Sequence, residues 1–269
     1  MTQASSSNRI PLFIALLGAI ILLCVGAFLI AKNREPSTPP TELASGAADK
    51  AVAAAGMTPE QRTATEALVR AYILENPEII TEAIAELQKR DAAKRLTSAG
   101  EKLTTPFPGA EFGNPKGDVT VVEFTDYNCG YCRSSVADVQ KLIDNDANVR
   151  VVIREVPILS QTSRDAALWA LAAAKQGKHK AFHDALFSGA RPDEQSIRAA
   201  ASKAGMDLAA AEKFAASSTA KSEVDSNIAM MQQIGFGGTP TFIIGDQILE
   251  GALGYDALKS AVDKARKQS

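Results

Sequence analysis

One stretch constrains this chain more than any other. Val119-Thr120-Val121-Val122-Glu123-Phe124-Thr125 is a short β-branched run that reads as a buried central strand, and Cys129-Gly130-Tyr131-Cys132 follows almost at once. Beyond the cysteines, Val136, Val139, Leu142 and Ile143 recur at spacings of three and four, the period of a helix with one apolar face. Cys129 is therefore expected at a helix N-terminus, where free amide N–H groups and the helix dipole favour an anion. A thiol in such a place can fall from a pKa of ~8.5 to roughly 3.5–7.5, and the thiolate is the species that attacks disulfides. Cys132 lies one turn further along the same helix. It is expected to be the more buried, resolving thiol in a cycle of attack, mixed disulfide and resolution.

The cysteine count favours chemistry over stapling. Of 269 residues only Cys24, Cys129 and Cys132 are cysteines, and Cys24 sits in an apolar run near the N-terminus. A disulfide-stapled secreted domain carries more cysteines, placed to close longer loops. A CxxC is also half of a structural zinc site, which needs two more ligands. No other cysteine is at hand, and the spacing of His179 and His183 reads as a solvated helix face. Met230-Met231 reads as core packing. No metal and no cofactor are expected. A net charge of −2 gives no basic footprint, so nucleic acid is set aside as a partner.

Residues 1–31 read as a membrane anchor. Ile10 to Ala31 holds no charged residue over 22 positions, against roughly 20 apolar residues for a spanning helix. A cleaved signal has a shorter apolar core and a small-residue cleavage site, which stays the second reading. Arg9 before the span and Lys32 and Arg34 after it leave orientation open. Residues 32–56, rich in Pro, Ser, Thr and Ala, read as a tether. Residues 57–100 read as a neck of two helices. Thr58-Pro59-Glu60-Gln61 has a capping residue, a first-turn proline and a capping-box glutamine, and Asn76-Pro77-Glu78 repeats the start signal. Ile80, Ala83, Ile84 and Leu87 form an apolar stripe. So short a segment must bury that stripe on the main domain or on another copy of the chain, and self-association is the expectation adopted.

Residues 101–269 read as the main domain. Val149 to Pro157 gives a second strand, and about 160–234 is rich in helix. Gly238-Thr239-Pro240-Thr241-Phe242 opens a further strand, Gln247 to Gly251 a hairpin partner, and Tyr255 to about Lys267 a last helix. The strand–CxxC–helix start together with Gly238-Thr239-Pro240-Thr241-Phe242 resembles the thioredoxin superfamily, and the long helical stretch resembles the insertion of its DsbA-type members. Val122 to Cys132 is especially similar to the ScsC-like, suppressor-of-copper-sensitivity branch. The fold class expected is therefore α/β, a thioredoxin-like fold with a helical insertion, preceded by a transmembrane helix and a helical neck.

The resemblance implies more. Thr239-Pro240 would be a cis peptide beside the cysteines, with the Thr239 backbone binding substrate as an added strand. Glu123 would be a buried acid that moves protons at the inner thiol; an unpaired carboxylate within an apolar strand is otherwise costly. ScsC-like proteins carry an N-terminal oligomerisation segment, which fits a homo-oligomer through 57–100. Gly130-Tyr131 departs from the Pro-His of DsbA itself and resembles disulfide isomerases. The activity implied is protein thiol:disulfide exchange outside the cytoplasm, with direction open. Its partners would be substrate proteins bearing thiols or disulfides and a membrane redox protein that recycles the pair. The place implied is the bacterial envelope, anchored to the inner membrane and facing the periplasm, or secreted there if the N-terminus is cleaved. The alternative is a copper- or zinc-binding thiol protein of metal tolerance.

Overall fold

The computed structural model describes residues 49–50 and 52–268. The predicted anchor and most of the predicted tether lie outside them. Among the described residues no helix is long and apolar enough to cross a membrane. The chain divides between Ile79 and Ile80 into two compact units.

In the first unit, residues 49–50 and 52–54 are helical where a tether was expected. The local cause is a run of alanines, the best helix formers. Gly56, at φ +63°, closes this turn in a Schellman motif. The Met57 N–H donates to Val52 O and the Gly56 N–H to Ala53 O. Helix α1 (Pro59–Glu75) then starts on the expected capping box. The Gln61 N–H donates to Thr58 Oγ1 at 3.3 Å, and the Thr58 N–H donates to Gln61 Oε1 at 2.9 Å. Leu68, Val69, Tyr72 and Leu74 on this helix are exposed.

Helix α2 (Glu78–Ala99) leads into the second unit. Ile80, Ile84 and Leu87 are exposed on it, whereas Leu96 and Ala99 near its end are buried. Next come β1 (Glu111–Gly113), β2 (Val119–Thr125), α3 (Gly130–Asn145) and β3 (Val149–Glu155). The helices α4 (Gln161–Lys175), α5 (His179–Ser188), α6 (Glu194–Lys203), α7 (Leu208–Ala215) and α8 (Ser218–Ile234) follow, then β4 (Thr241–Ile244), β5 (Gln247–Glu250) and α9 (Tyr255–Gln268). The sheet order is β1-β3-β2-β4-β5; β2 and β3 are parallel and the other pairs antiparallel. The edge strand β1, only three residues long, has no periodicity to read and was not anticipated.

Strands β2 and β3 are central and nearly buried throughout, so both faces need cover. On one face Val119, Val121, Val149, Val151, Ile153 and Phe242 pack against α3 and α9. On the other, Val122, Phe124, Val152 and Ile243 pack against α8 and the end of α2, with Met230 and Met231 in that core. Each large apolar side chain so buried contributes about 1.5–3 kcal/mol. Arg154, buried on β3, ties the segment after α2 to this layer. Its guanidinium donates to the carbonyls of Lys102, Leu103 and Thr105, and to Glu223 and Asn227 of α8.

Candidate active site

The carboxyl end of β2 delivers the cysteines. Asp126 shapes the intervening loop: its Oδ1 accepts from the Asn128 N–H at 2.8 Å, and its Oδ2 from the N–H groups of Ile158 and Leu159 at 2.9 and 3.0 Å. Its carbonyl accepts from the Cys129 N–H at 3.0 Å. The Asn128 amide donates to Ser160, Thr162 and Ser163 at the start of α4. The loop after β2 is thereby fastened to the loop after β3, with Cys129 at their junction. Neither Asp126 nor Asn128 was assigned a role from sequence. Asx-type self-bonding of short polar side chains was the signal available.

Cys129 is the N-cap residue of α3, and Cys132 is wholly buried one turn in. Both are free thiols. Gly130 and Tyr131 lie between them, and Tyr131 is 71% exposed. Thr239–Pro240 is a cis peptide, and Cys129 Sγ lies 3.1 Å from the Thr239 carbonyl oxygen. Gly235, left-handed at φ +84°, caps α8 and turns the chain towards this segment. The Pro240 carbonyl accepts from the Gly251 N–H, which fixes it to the β4–β5 hairpin. Burial pushes the Cys132 thiol well up from its ordinary value; the nearby polar groups of Thr239, the Asp126 backbone and Thr125 pull back, and the charge of Glu123 adds to the rise.

Glu123 is buried on the face of β2 that looks towards α3, and among the described residues its carboxyl makes no hydrogen bond. Burial, with the neighbouring charge of Glu155, pushes it up to about 8. Glu155 ends β3 on the same face of the sheet, diagonal to Glu123, since Thr125 is its direct partner. Its Oε1 accepts from the Tyr127 hydroxyl at 3.2 Å and lies 3.1 Å from His179 Nε2. Burial raises this carboxyl too, against the pull of His179 and Tyr127.

His179 and His183 are not on a solvated face, as their spacing had implied; both are buried. The turn of α5 that carries them packs on the sheet end, with Phe112 of β1 5.2 and 5.1 Å from their rings. The unanticipated strand β1 supplies that aromatic cover. His183 is pushed down to about 4 by burial. Among the described residues no group of three or more His, Cys, Asp or Glu side chains is placed to hold a metal.

Residues 120–263 match the family described as DSBA-like thioredoxin domain, and residues 61–94 match the copper resistance protein ScsC N-terminal domain. A thioredoxin-like oxidoreductase from Silicibacter pomeroyi is 41% identical, covers 63% of this chain and 99% of its own, and superposes with a TM-score of 0.61. ScsC of Proteus mirabilis in a transitional conformation is 28% identical over 80% of this chain and 99% of its own, with a TM-score of 0.60. The thiol-disulfide exchange protein alpha-DsbA2 of Wolbachia pipientis is 27% identical over 66% and 97%, with a TM-score of 0.61. Among curated proteins, the Na(+)/H(+) antiporter NhaA 3 of Salinispora tropica matches at 29% identity over 158 residues. The chain spans only 24% of that relative's length. Fold, paired thiols and both family matches agree: the chain belongs to the DSBA-like thioredoxin family, with an N-terminal segment of the ScsC type.

Proposed function

We propose that this protein exchanges dithiols and disulfides with cysteines of other proteins, in the envelope and outside the cytoplasm. The observation that carries this reading is the N-cap position of Cys129, with its sulfur 3.1 Å from the Thr239 carbonyl and Cys132 buried behind it. In the reducing direction the Cys129 thiolate attacks a substrate disulfide, one substrate sulfur leaves and takes a proton, and a mixed disulfide forms. Cys132 then loses its proton to the Glu123 carboxylate and attacks Cys129 Sγ. The second substrate thiol departs and the Cys129–Cys132 disulfide closes. In the oxidising direction the steps reverse, and protonated Glu123 returns a proton to the departing Cys132 sulfur.

Thr239 and Pro240 border the attacking sulfur, and among the described residues the Thr239 N–H has no backbone partner. An extended substrate segment pairing there gains affinity from its backbone, which suits a broad range of proteins. Tyr131 in the first turn of α3, Ile158 and Leu159 on the loop after β3 and Leu253 in the β5–α9 connection are exposed large apolar side chains. The exposed stripes of α1 and α2 support assembly into a homo-oligomer through residues 57–100. The apolar run of residues 10–31 supports tethering to the inner membrane, and the cycle needs a membrane redox partner to reset the pair. The metal-tolerance reading is favoured by the name of the matched N-terminal domain, but among the described residues no group of three or more His, Cys, Asp or Glu side chains is placed to hold a metal.

Replacing Cys129 with Ser should abolish insulin reduction and scrambled-substrate refolding; full activity in that variant refutes the proposal. The potential of the Cys129–Cys132 pair against glutathione decides direction. A value near about −120 mV marks an oxidant and one near about −270 mV a reductant.

A further inference from the structure

Two buried carboxylates lie on the same face at the carboxyl end of the sheet, and their surroundings differ. Glu155 has two partners, the Tyr127 hydroxyl at 3.2 Å and His179 Nε2 at 3.1 Å. Glu123 has no hydrogen-bond partner among the described residues. Like charges this close cannot both ionise cheaply in a dry interior, so the pair shares its charge unequally. A carboxylate that accepts hydrogen bonds holds the charge, whereas one that accepts none holds the proton.

We propose that Glu155 is a positioning residue of the exchange centre, which, clamped by Tyr127 and His179, carries the pair's negative charge and so leaves Glu123 holding the proton exchanged with Cys132. The proposal rests on the thiol–disulfide reading above and extends it to a second acid on another strand. The groups facing the pair from every packed element belong to the same account. They are Cys132 on α3, Asp126 and Tyr127 on the loop after β2, and His179, His183, Lys180 and Asp184 on α5. Lys180 and Asp184 are paired with each other at the surface, and Asp126 is spent on backbone N–H groups. That leaves Glu155 as the charge facing Glu123 from β3. Among the described residues Glu155 Oε2 and His179 Nδ1, both buried, have no hydrogen-bond partner, so the clamp is made through one atom of each group.

No bond to sulfur passes through Glu155. During resolution the Cys132 proton moves to Glu123 in chains whose Glu123 carboxyl has ionised, Cys132 Sγ bonds to Cys129 Sγ, and the substrate sulfur leaves with the electron pair. Glu155 influences only how readily Glu123 accepts that proton.

The experiment measures the pH dependence of Cys132 attack on a preformed Cys129–glutathione mixed disulfide in the intact chain. Wild type should show an inflection near pH 8, lost in Glu123→Gln. Glu155→Gln, which keeps the shape and removes the charge, should move that inflection down by roughly one pH unit. Tyr127→Phe, which keeps the ring and removes one clamp, should move it in the same direction and by less. Glu155→Gln with an unmoved inflection, alongside an intact fold by circular dichroism, overturns the proposal, and so does an upward move. If Glu155→Gln does not fold, Tyr127→Phe decides by the same criterion. A wild type that fails to resolve the mixed disulfide at any pH refutes the exchange reading itself, an outcome separate from the two above.

Discussion

Glu123→Gln should make the folded chain more stable, and the gain should grow with pH. In the folded chain the Glu123 carboxyl titrates at about 8 instead of its ordinary 4.5, first because it is buried and then because Glu155 lies near. Between those values the folded state holds a proton that the unfolded state has released. Stability therefore falls as pH rises across that window, at about 1.36 kcal/mol per pH unit. From pH 5 to pH 7 this one group removes about 3 kcal/mol, a large part of the 5–15 kcal/mol by which a domain is stable. Glutamine keeps the side-chain shape and cannot ionise. Denaturant midpoints of the reduced protein at pH 5, 7 and 9 would give the two stability curves. They should lie close together at pH 5 and separate by about 3 kcal/mol at pH 7. A gap equal at pH 5 and pH 9 would show that Glu123 does not titrate in this window, and would remove the reason for assigning it the Cys132 proton.

Other perturbations test other parts of the centre and the neck. Cys132→Ser should leave Cys129 able to attack but unable to resolve, so mixed disulfides with substrate should accumulate on non-reducing gels; their absence would place the attack elsewhere. Asp126→Ala should strand three backbone N–H donors and cost about 2–4 kcal/mol of stability in thermal or denaturant unfolding. His183 is buried with its value lowered to about 4, so stability is lost as pH falls from 6.5 to 4, by up to about 3 kcal/mol, and a His183→Leu variant should flatten that acid limb. Ile84→Glu on the exposed stripe of α2 should reduce the mass seen by light scattering, and an unchanged mass would reject assembly through this helix.

Much of the frame was legible because it depends on local signals. The capping box is written in two side chains three positions apart, Thr58 and Gln61, and both of its hydrogen bonds form. The β-branched runs of β2 and β3 and the apolar period of α3 place the dithiol at a helix start without any long-range information. What escaped depends on packing between distant segments. Strand β1 exists because Phe112 and its neighbours pair with β3 some forty positions later, and nothing within three residues announces that. The i, i+4 spacing of His179 and His183 read correctly as one helix face, but Phe182, Leu186 and Phe187, at spacings of three and four from them, mark that face as the inward one, a signal the sequence reading passed over. Only the sheet end supplies Glu155 and Phe112 against which those rings bury.

The site and the cost of the site come from one feature of the sheet. Along the face towards α3, β2 runs Val119, Val121, Glu123, Thr125 and β3 runs Val149, Val151, Ile153, Glu155. The first part of each strand is apolar and buries against α3 and α9; the last turns polar while still buried. A strand chosen for packing alone would continue in valine or isoleucine, and two acids in such a place weaken the fold at neutral pH. The polar change falls at the carboxyl end of the strands, where β2 releases the chain to Cys129. The same end receives the cis Thr239–Pro240 segment and the histidine-bearing turn of α5. Acids that only weakened the sheet would have no reason to meet there, beneath Cys132, the thiol proposed to exchange its proton with Glu123.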